Sequence, residues 1–246
     1  MNAVLEYNDR GCMLFSADCP GAFARGRDRR EALAKLPGDV AAFCRWADWP
    51  RPQISLVKIT QEVYQPEVAV EDADGNVLFD TERSPLTAEE YAPLRGLVLK
   101  SAECLDQLYE AIPDPDAPLA PERTTFYGQY PNTPRRMFDH VNGCTGYYVA
   151  GLGAQCEILP GCYETRLLRL QALERLPGFL TMPVHQAEDG ELWTVRKVLR
   201  RFLWHDRIHA RALFRRARAK WGEVIPDPFL FAPSNPMSSE NAEGNL

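Results

Sequence analysis

The sequence predicts an α+β N-terminal domain over residues 1–84, followed by an all-α, up-and-down four-helix bundle over residues 85–228. Two observations lead to this prediction. Strand-like runs alternate with one helical segment before Ser84, and apolar residues recur at helical spacing after it. Residues 229–246 are predicted to form a mobile tail, because their final stretch is too polar to pack.

The first domain is predicted to begin with a β-hairpin. Residues 4–7 and 12–17 are strand-like, and the turn-forming residues 8–11 join them. Asp28 is placed to cap a helix whose apolar residues share one face. Residues 54–63 then have the composition of a returning strand. These elements predict a small sheet covered by one helix.

Residues 20–26, Pro-Gly-Ala-Phe-Ala-Arg-Gly, lead from the hairpin into a helix rich in Arg, Glu and Ala. This order of elements over roughly the first 50 residues resembles the HicB-like fold of antitoxins. In antitoxins such a domain usually comes with a DNA-binding appendage, which we do not find in this sequence. We therefore carry over only the fold from this resemblance, and not a DNA-binding function.

Four helices are predicted after Ser84. The first has a capping box formed by Thr87 and Glu90, and Thr133 or Asn132 caps the second, with Pro134 at its first helical position. The predicted spans are 91–111, 134–151, 164–176 and 192–221. Their lengths are those of an up-and-down bundle with one long connection.

Composition excludes several classes of protein. A formal net charge of −6 and a pI near 5.4 argue against a general affinity for nucleic acid or for anionic membranes. No apolar stretch approaches the ~20 residues of a membrane span, and the N-terminus lacks the pattern of a secretory signal. Seven cysteines without a CxxC pair suggest reduced, buried thiols. We therefore expect a cytoplasmic protein.

Three of the four histidines lie on predicted core-facing stripes. His205 and His209 are four residues apart on the last helix, so their rings point the same way, and His140 faces inward from the second helix. A single inward histidine is more often a hydrogen-bonded core residue than a ligand. Three together favour one divalent metal ion with an open coordination position. His185 is expected at the surface or rim.

The segments 138–141, Phe-Asp-His-Val, and 202–209, Phe-Leu-Trp-His-Asp-Arg-Ile-His, resemble the metal-binding motifs of the DinB/YfiT-like superfamily. In that group of four-helix bundles, one histidine of the second helix and two of an HxxxH on the last helix hold the metal. The resemblance covers residues 86–225. It implies zinc or nickel on His140, His205 and His209, and thiol-transfer or amide-hydrolysis chemistry.

The sequence leaves two or more roles open for other polar residues near the histidines. Cys144 lies one turn after His140 and is either a small buried thiol or a fourth ligand that would close the site. Asp139 and Asp206 point about 100° away from the metal-binding stripe, so an outer role beside a ligand is open but not indicated. The candidate rim groups for acid–base help are Tyr147, Tyr148 and Glu157.

The last predicted helix is strongly basic outside its core stripe. We interpret this as a solvated face that pairs with carboxylates of neighbouring helices, and contact with RNA or DNA is the alternative. The residues are Arg196, Lys197, Arg200, Arg201, Arg207, Arg211, Arg215, Arg216, Arg218 and Lys220.

The sequence thus favours a metal-dependent hydrolase or thiol transferase acting on a small-molecule substrate. A non-enzymatic module in which the metal is structural and the two domains bind or regulate a partner is the alternative. An antitoxin-like nucleic-acid-binding protein is a third hypothesis, against which the acidic pI argues. We expect neither a nucleic-acid nor a membrane partner, and the sequence allows a homodimer.

Overall fold

A mixed four-stranded sheet and one helix form the N-terminal part of the chain. The structure is a computed structural model, and it describes residues 1–125 and 128–232. The elements are β1 (Asn2–Asn8), β2 (Gly11–Ser16), β3 (Phe23–Gly26), α1 (Arg29–Ala47) and β4 (Lys58–Tyr64). The strand order is β3-β2-β1-β4, with β4 parallel to β1 and the other pairs antiparallel.

The predicted hairpin and the predicted helix cap are confirmed. Asn8 closes the β1–β2 turn, because its Oδ1 accepts the backbone N–H groups of Arg10 (2.8 Å) and Gly11 (3.0 Å). Asp28 caps α1 by accepting the N–H of Glu31 at 2.8 Å. Strand β3 was not predicted, because it lies inside the Gly-Ala-Phe-Ala-Arg segment that reads as a turn.

Both faces of this sheet are buried, so alternate residues enter two different clusters. On one face Leu5 and Leu14 pack with α1 in the larger core. On the other face Met13 and Phe15 join Trp204 and the segment 68–79 in a smaller cluster. Every residue of β2 is therefore buried. This explains why apolar side chains occur on both faces of the strand.

Four further helices make up most of the C-terminal part. They are α2 (Ala88–Glu110), α3 (Pro134–Ala150), α4 (Cys162–Glu174) and α5 (Val195–Trp221). The predicted caps are confirmed at Thr87, which forms a capping box with Glu90, and at Thr133, which precedes Pro134. Helix α2 packs on α4 and α5, and α3 also packs on both.

The predicted fold class is wrong in its second half. The described chain has five α-helices, and its C-terminal part is not all-α. Two short antiparallel pairs interrupt it, β5 (Thr124–Thr125) with β6 (Gly128–Gln129) and β7 (His185–Gln186) with β8 (Leu192–Trp193). Two-residue strands are too short to produce an alternating pattern, so the sequence could not predict them. The α+β character of the N-terminal part agrees with the prediction.

One hydrophobic core joins the two parts of the chain. It contains Leu14 and Phe43 of the α+β part as well as Val98 of α2 and Phe202 of α5. Before Ser84, a short 3-10 helix at Val70–Asp72 is followed by irregular chain up to residue 79. The division at Ser84 stays a prediction, although apolar packing crosses it.

Helix α5 is buried on its basic side as well as on its apolar side. Lys197, Arg200, Arg201 and Arg207 are each no more than 7% exposed. The solvated-face interpretation is therefore wrong for these four residues. The reason is that the α+β part covers the side of α5 that a bundle alone would leave in water.

Arg200 and Arg207 donate hydrogen bonds to oxygen atoms of residues that precede Ser84. Arg200 donates to Glu82 Oε2 (3.0 Å) and to the carbonyl of Val77 (2.9 Å). Arg207 Nε donates to the carbonyl of Gly21 (2.9 Å). These bonds offset part of the cost of burying the two charges and join α5 to the α+β part, although two nitrogens of Arg207 have no hydrogen-bond partner among the described residues.

The end of the chain lies partly outside the described residues. The mobile tail was predicted to begin at residue 229, whereas Phe229 is fully buried and its ring stacks on Trp46 at 5.6 Å. Residues 233–246 are not among those described. Within the described ranges, no helix combines the length and apolar character needed to cross a bilayer.

Replacing Arg200 by Met tests the buried pair. The variant leaves Glu82 buried without its partner, and we expect a loss of about 3–5 kcal/mol in the free energy of unfolding. Urea denaturation measures it. The control is Arg215→Met, because Arg215 is exposed on the same helix and its replacement should change little. Equal, small effects in both variants would show that the pair does not hold α5 in place.

Candidate metal centre

Helices α3 and α5 bring together the three histidines that the sequence singles out. The ring centroid of His140 lies 5.2 Å from that of His205 and 4.8 Å from that of His209, and the last two are 4.5 Å apart. Thr133 fixes the start of α3 by accepting the N–H of Arg136 at 3.3 Å. Three imidazole rings from two helices therefore lie close together. Among the described residues, the ligand atoms that lie within 4.8 Å of one another are those of His140, Cys144 and His205, and His209 is not in that group.

Burial keeps these imidazoles neutral. It lowers the pKa of His140, lowers that of His205 well below the usual value, and lowers that of His209 to about 3. For His205 and His209 a second cause is the proximity of the other rings, since two imidazolium charges would repel each other. Neutral rings keep a lone pair, which a metal ion requires of histidine ligands.

His205 is the most informative of the three residues. It is 5% exposed, and its Nδ1 atom is buried without a hydrogen-bond partner among the described residues. A histidine that serves only the core would have this atom satisfied, because an unpaired buried polar group is costly. The residues present therefore fit a divalent ion, which would accept the lone pair of a buried ring nitrogen.

Cys144 lies beside the histidines. Its Sγ is 3.5 Å from His140 Nδ1 and 3.8 Å from His140 Nε2. His140, Cys144 and His205 each offer one ligand atom within 4.8 Å of the others, so a thiolate ligand is sterically available. Burial raises the pKa of the Cys144 thiol, which keeps it protonated in the absence of a cation.

The histidines lie in a cavity of about 550 Å³ between the α+β part and the helices. One wall is the irregular segment 72–76, and the opposite wall is formed by α3, α5 and the loop that includes residues 189–191. This volume is sufficient for a small organic molecule. The cavity gives the histidines a route to solvent.

Tyr147 and Tyr148 line this cavity, as the sequence suggested for rim groups. The Tyr147 hydroxyl lies 2.6 Å from Asp189 Oδ2 and 2.7 Å from Glu191 Oε2, and it can donate to either carboxylate. Burial and these carboxylates raise the pKa of Tyr147. Its proton is therefore held at neutral pH, which makes Tyr147 a hydrogen-bond donor at the rim.

Several other candidates lie away from the cavity. Asp206 forms a fully buried, two-pronged ion pair with Arg166 of α4, with N–O distances of 2.8 and 2.9 Å. Asp139 and His185 are exposed, and neither they nor Glu157 are among the lining residues. Asp206 is likewise not among the residues that line the cavity.

Two parts of the cavity were not anticipated from the sequence. Arg201, one turn before His205, points into it, and the i to i+4 spacing could have revealed this. The segment 72–76 closes the opposite wall at Gly75, where a Cβ atom would lie 2.5 Å from Glu6 Oε2. No short-range pattern shows that a glycine lies against a distant buried carboxylate.

The pH dependence of stability tests the neutral state of the histidines. Unfolding restores a pKa near 6.5, so the unfolded metal-free chain binds more protons than the folded chain below that pH. Stability should be complete above pH 6.5 and fall on acidification, by up to about 1.4 kcal/mol per pH unit for each histidine. Urea denaturation between pH 8 and pH 4 measures this.

His209→Gln should weaken the acid sensitivity, whereas His185→Gln should leave it unchanged because His185 is exposed. An equal pH profile for wild type and His209→Gln would contradict the assignment.

Comparison with protein-family models, with curated proteins and with solved structures finds no match for this chain. The function of the site is therefore inferred from its own residues and their chemistry.

Proposed function

We propose that His140, His205 and His209 hold one divalent ion, zinc or nickel, and that the protein is a metal-dependent hydrolase or thiol transferase acting on a small molecule. The observation that carries the proposal is the convergence of three neutral imidazoles, one with an unsatisfied buried nitrogen, in a cavity of small-molecule size. The resemblance of residues 86–225 to the DinB/YfiT-like superfamily supports the same proposal.

The chemistry follows from the donor set. Three histidine nitrogens leave coordination positions to solvent or substrate, and the bound ion would supply Lewis acidity that favours deprotonation of a water molecule or a thiol. The protein's part is to keep the imidazoles neutral and converging, and to shield them from bulk water. The Tyr147 hydroxyl lies at the rim and gives its one proton to Asp189 or Glu191, so its oxygen is placed to accept a hydrogen bond from a bound substrate.

A structural metal is the second candidate function, and the position of Cys144 favours it. With its sulfur near His140 and His205, Cys144 could complete a closed four-ligand site. The protein would then be a binding or regulatory module stabilised by its metal. The two candidates differ in whether an exchangeable ligand reaches the ion.

We also infer a cytoplasmic location. All seven cysteines are free thiols, which is typical of a reducing compartment.

Metal analysis tests the proposal. Wild-type protein purified without chelators should carry about one divalent ion per chain, measured by plasma mass spectrometry. His205→Ala should lose most of the metal, because it removes one of three ligands. His185→Gln is the matched control, since His185 lies outside the cavity. Metal content that is substoichiometric and the same in all three proteins would refute the site.

Replacing Cys144 by Ala separates an open site from a closed one. We expect the metal content of Cys144→Ala to stay close to that of wild type, because three histidines suffice. Loss of the metal in this variant would favour the structural site, in which the thiolate is a ligand.

Cobalt substitution separates the two reaction types. In a thiol transferase, a low-molecular-weight thiol should bind the cobalt ion and change its absorption spectrum. In a hydrolase, thiols should have little specific effect and turnover should appear with amide or ester substrates. Absence of any spectral response to thiols and to competing anions, together with absence of turnover, would leave the structural metal as the better account.

A further inference from the structure

A basic groove lies next to the metal cavity. Its volume is about 720 Å³, which is within the range of small-molecule sites. Its lining includes six cationic side chains and only two carboxylates, those of Asp39 and Asp72. The cations are Arg25, Lys35, Arg123, Arg211, Arg215 and Arg216. In a chain whose formal net charge is −6, this local excess of positive charge favours an anionic ligand.

The two carboxylates of the groove are already engaged with arginines. Asp39 pairs with Arg211 and lies 3.7 Å from the guanidinium of the buried Arg207, so one carboxylate serves two cations. Asp72 accepts from Arg123 Nη1 at 2.6 Å. Neither carboxylate is therefore left to neutralise the other cations of the groove.

Three of the cations form no ion pair with a carboxylate within residues 1–125 and 128–232. These are Arg25, Arg215 and Arg216. Arg25 donates to the backbone carbonyl of Glu71, whose carboxylate pairs with Arg10 at 2.8 Å instead. Arg216 donates to the hydroxyl of Tyr130, and Arg215 is exposed. Uncharged acceptors orient these guanidinium groups but leave their charges available to an anion.

The groove and the metal cavity meet at His209, which lines both. His209, Ala212 and Arg216 are spaced i, i+3 and i+7 on α5, so they share one face of the helix. Ala212 also lines the groove, and its small side chain leaves room between the other two. At a rise of 1.5 Å per residue, the helix covers about 10 Å from His209 to Arg216. One small molecule can therefore reach both.

We propose that the groove binds a phosphate group of the substrate, so that the protein acts on a phosphorylated small molecule. This inference rests on the proposed function, because the reacting group of the same molecule would lie at the ion. Guanidinium groups match phosphate oxygens with paired, charge-assisted hydrogen bonds. Of the four carboxylates that line the metal cavity, only that of Asp72 also lines the groove, so the phosphate would bind apart from the other three.

Two competing accounts of the groove need separate outcomes in the test. In the first, the cations serve only the fold and the solvated surface, as the pair between Arg211 and Asp39 does by joining α5 to α1. In the second, the groove contacts the backbone of a nucleic acid. Its volume accommodates a small molecule but only a small part of a duplex, and the acidic net charge also argues against a duplex.

The first measurement is calorimetric titration of the full-length protein with inorganic phosphate, before and after removal of metal with a chelator. Wild type should bind phosphate in both forms. Arg216→Gln should bind it at least about tenfold more weakly, because charge-assisted hydrogen bonds are lost. Arg218→Gln is the matched control and should equal wild type, because Arg218 lies on the same helix, pairs with Glu223 and does not line the groove.

A second variant covers failure of Arg216→Gln to fold. Arg25 is exposed and reaches the groove from β3, so Arg25→Gln should fold and should also weaken phosphate binding about tenfold. Its control is Arg27→Gln, because Arg27 is exposed nearby, pairs with Glu31 and does not line the groove.

The second measurement places the phosphate relative to the ion. In cobalt-loaded protein, paramagnetic relaxation of the ³¹P signal of bound phosphate reports the distance between cobalt and phosphorus. The position of Arg216 predicts about 10 Å. A distance short enough for direct coordination would overturn the groove as the phosphate site, and so would the absence of any paramagnetic effect at full cobalt occupancy.

Equal phosphate affinity in wild type, Arg216→Gln and Arg25→Gln would overturn the proposal in favour of a merely solvated surface. Tight binding of a DNA or RNA duplex at physiological salt that is lost in Arg216→Gln would overturn it in favour of a nucleic acid. Phosphate binding that depends on Arg216 in a protein that takes up neither zinc nor cobalt would overturn the metal site and leave the phosphate groove standing.

Discussion

Helix α5 is surrounded by protein on every side along most of its length, and the arrangement of the other elements follows from this. A long helix with ten Lys and Arg residues would ordinarily keep its basic side in water. Here Lys197, Arg200 and Arg207 reach oxygens of the α+β part instead, among them the carbonyls of Asn76, Val77 and Gly21. These charge-assisted bonds join the two parts of the chain more specifically than apolar packing does, because each needs one partner in one place.

The same helix determines the site. On α5, Trp204 packs against the second face of the sheet, whereas Arg201 and His205 line the cavity. A single rigid helix therefore positions the histidines relative to the sheet. The segment 72–76 completes the cavity because Glu6 and Lys197 bind its backbone. A change that loosens α5 from the α+β part should therefore disturb the cavity before it disturbs the helices.

Local patterns in the sequence predicted much of the secondary structure and the grouping of the histidines. Asp28, Thr87 and Thr133 cap helices by hydrogen bonds within three residues, and such contacts are visible in sequence. The i to i+4 spacing of His205 and His209 is equally local. Burial of Arg200 was not predictable, because it depends on Glu82, 118 residues away. The short β-strands were not predictable either. The close packing of Gly75 was also not predictable, because it depends on the carboxylate of Glu6, which is distant in sequence.

The most direct test of the central claim is the position of the ion itself. Crystals grown from protein containing zinc, measured on both sides of the zinc absorption edge, should show one anomalous peak about 2.0–2.1 Å from a nitrogen of each of His140, His205 and His209. Absence of a peak in the cavity would contradict the claim that the three histidines hold one ion. A zinc ion coordinated by Cys144 but not by His209 would contradict it as well.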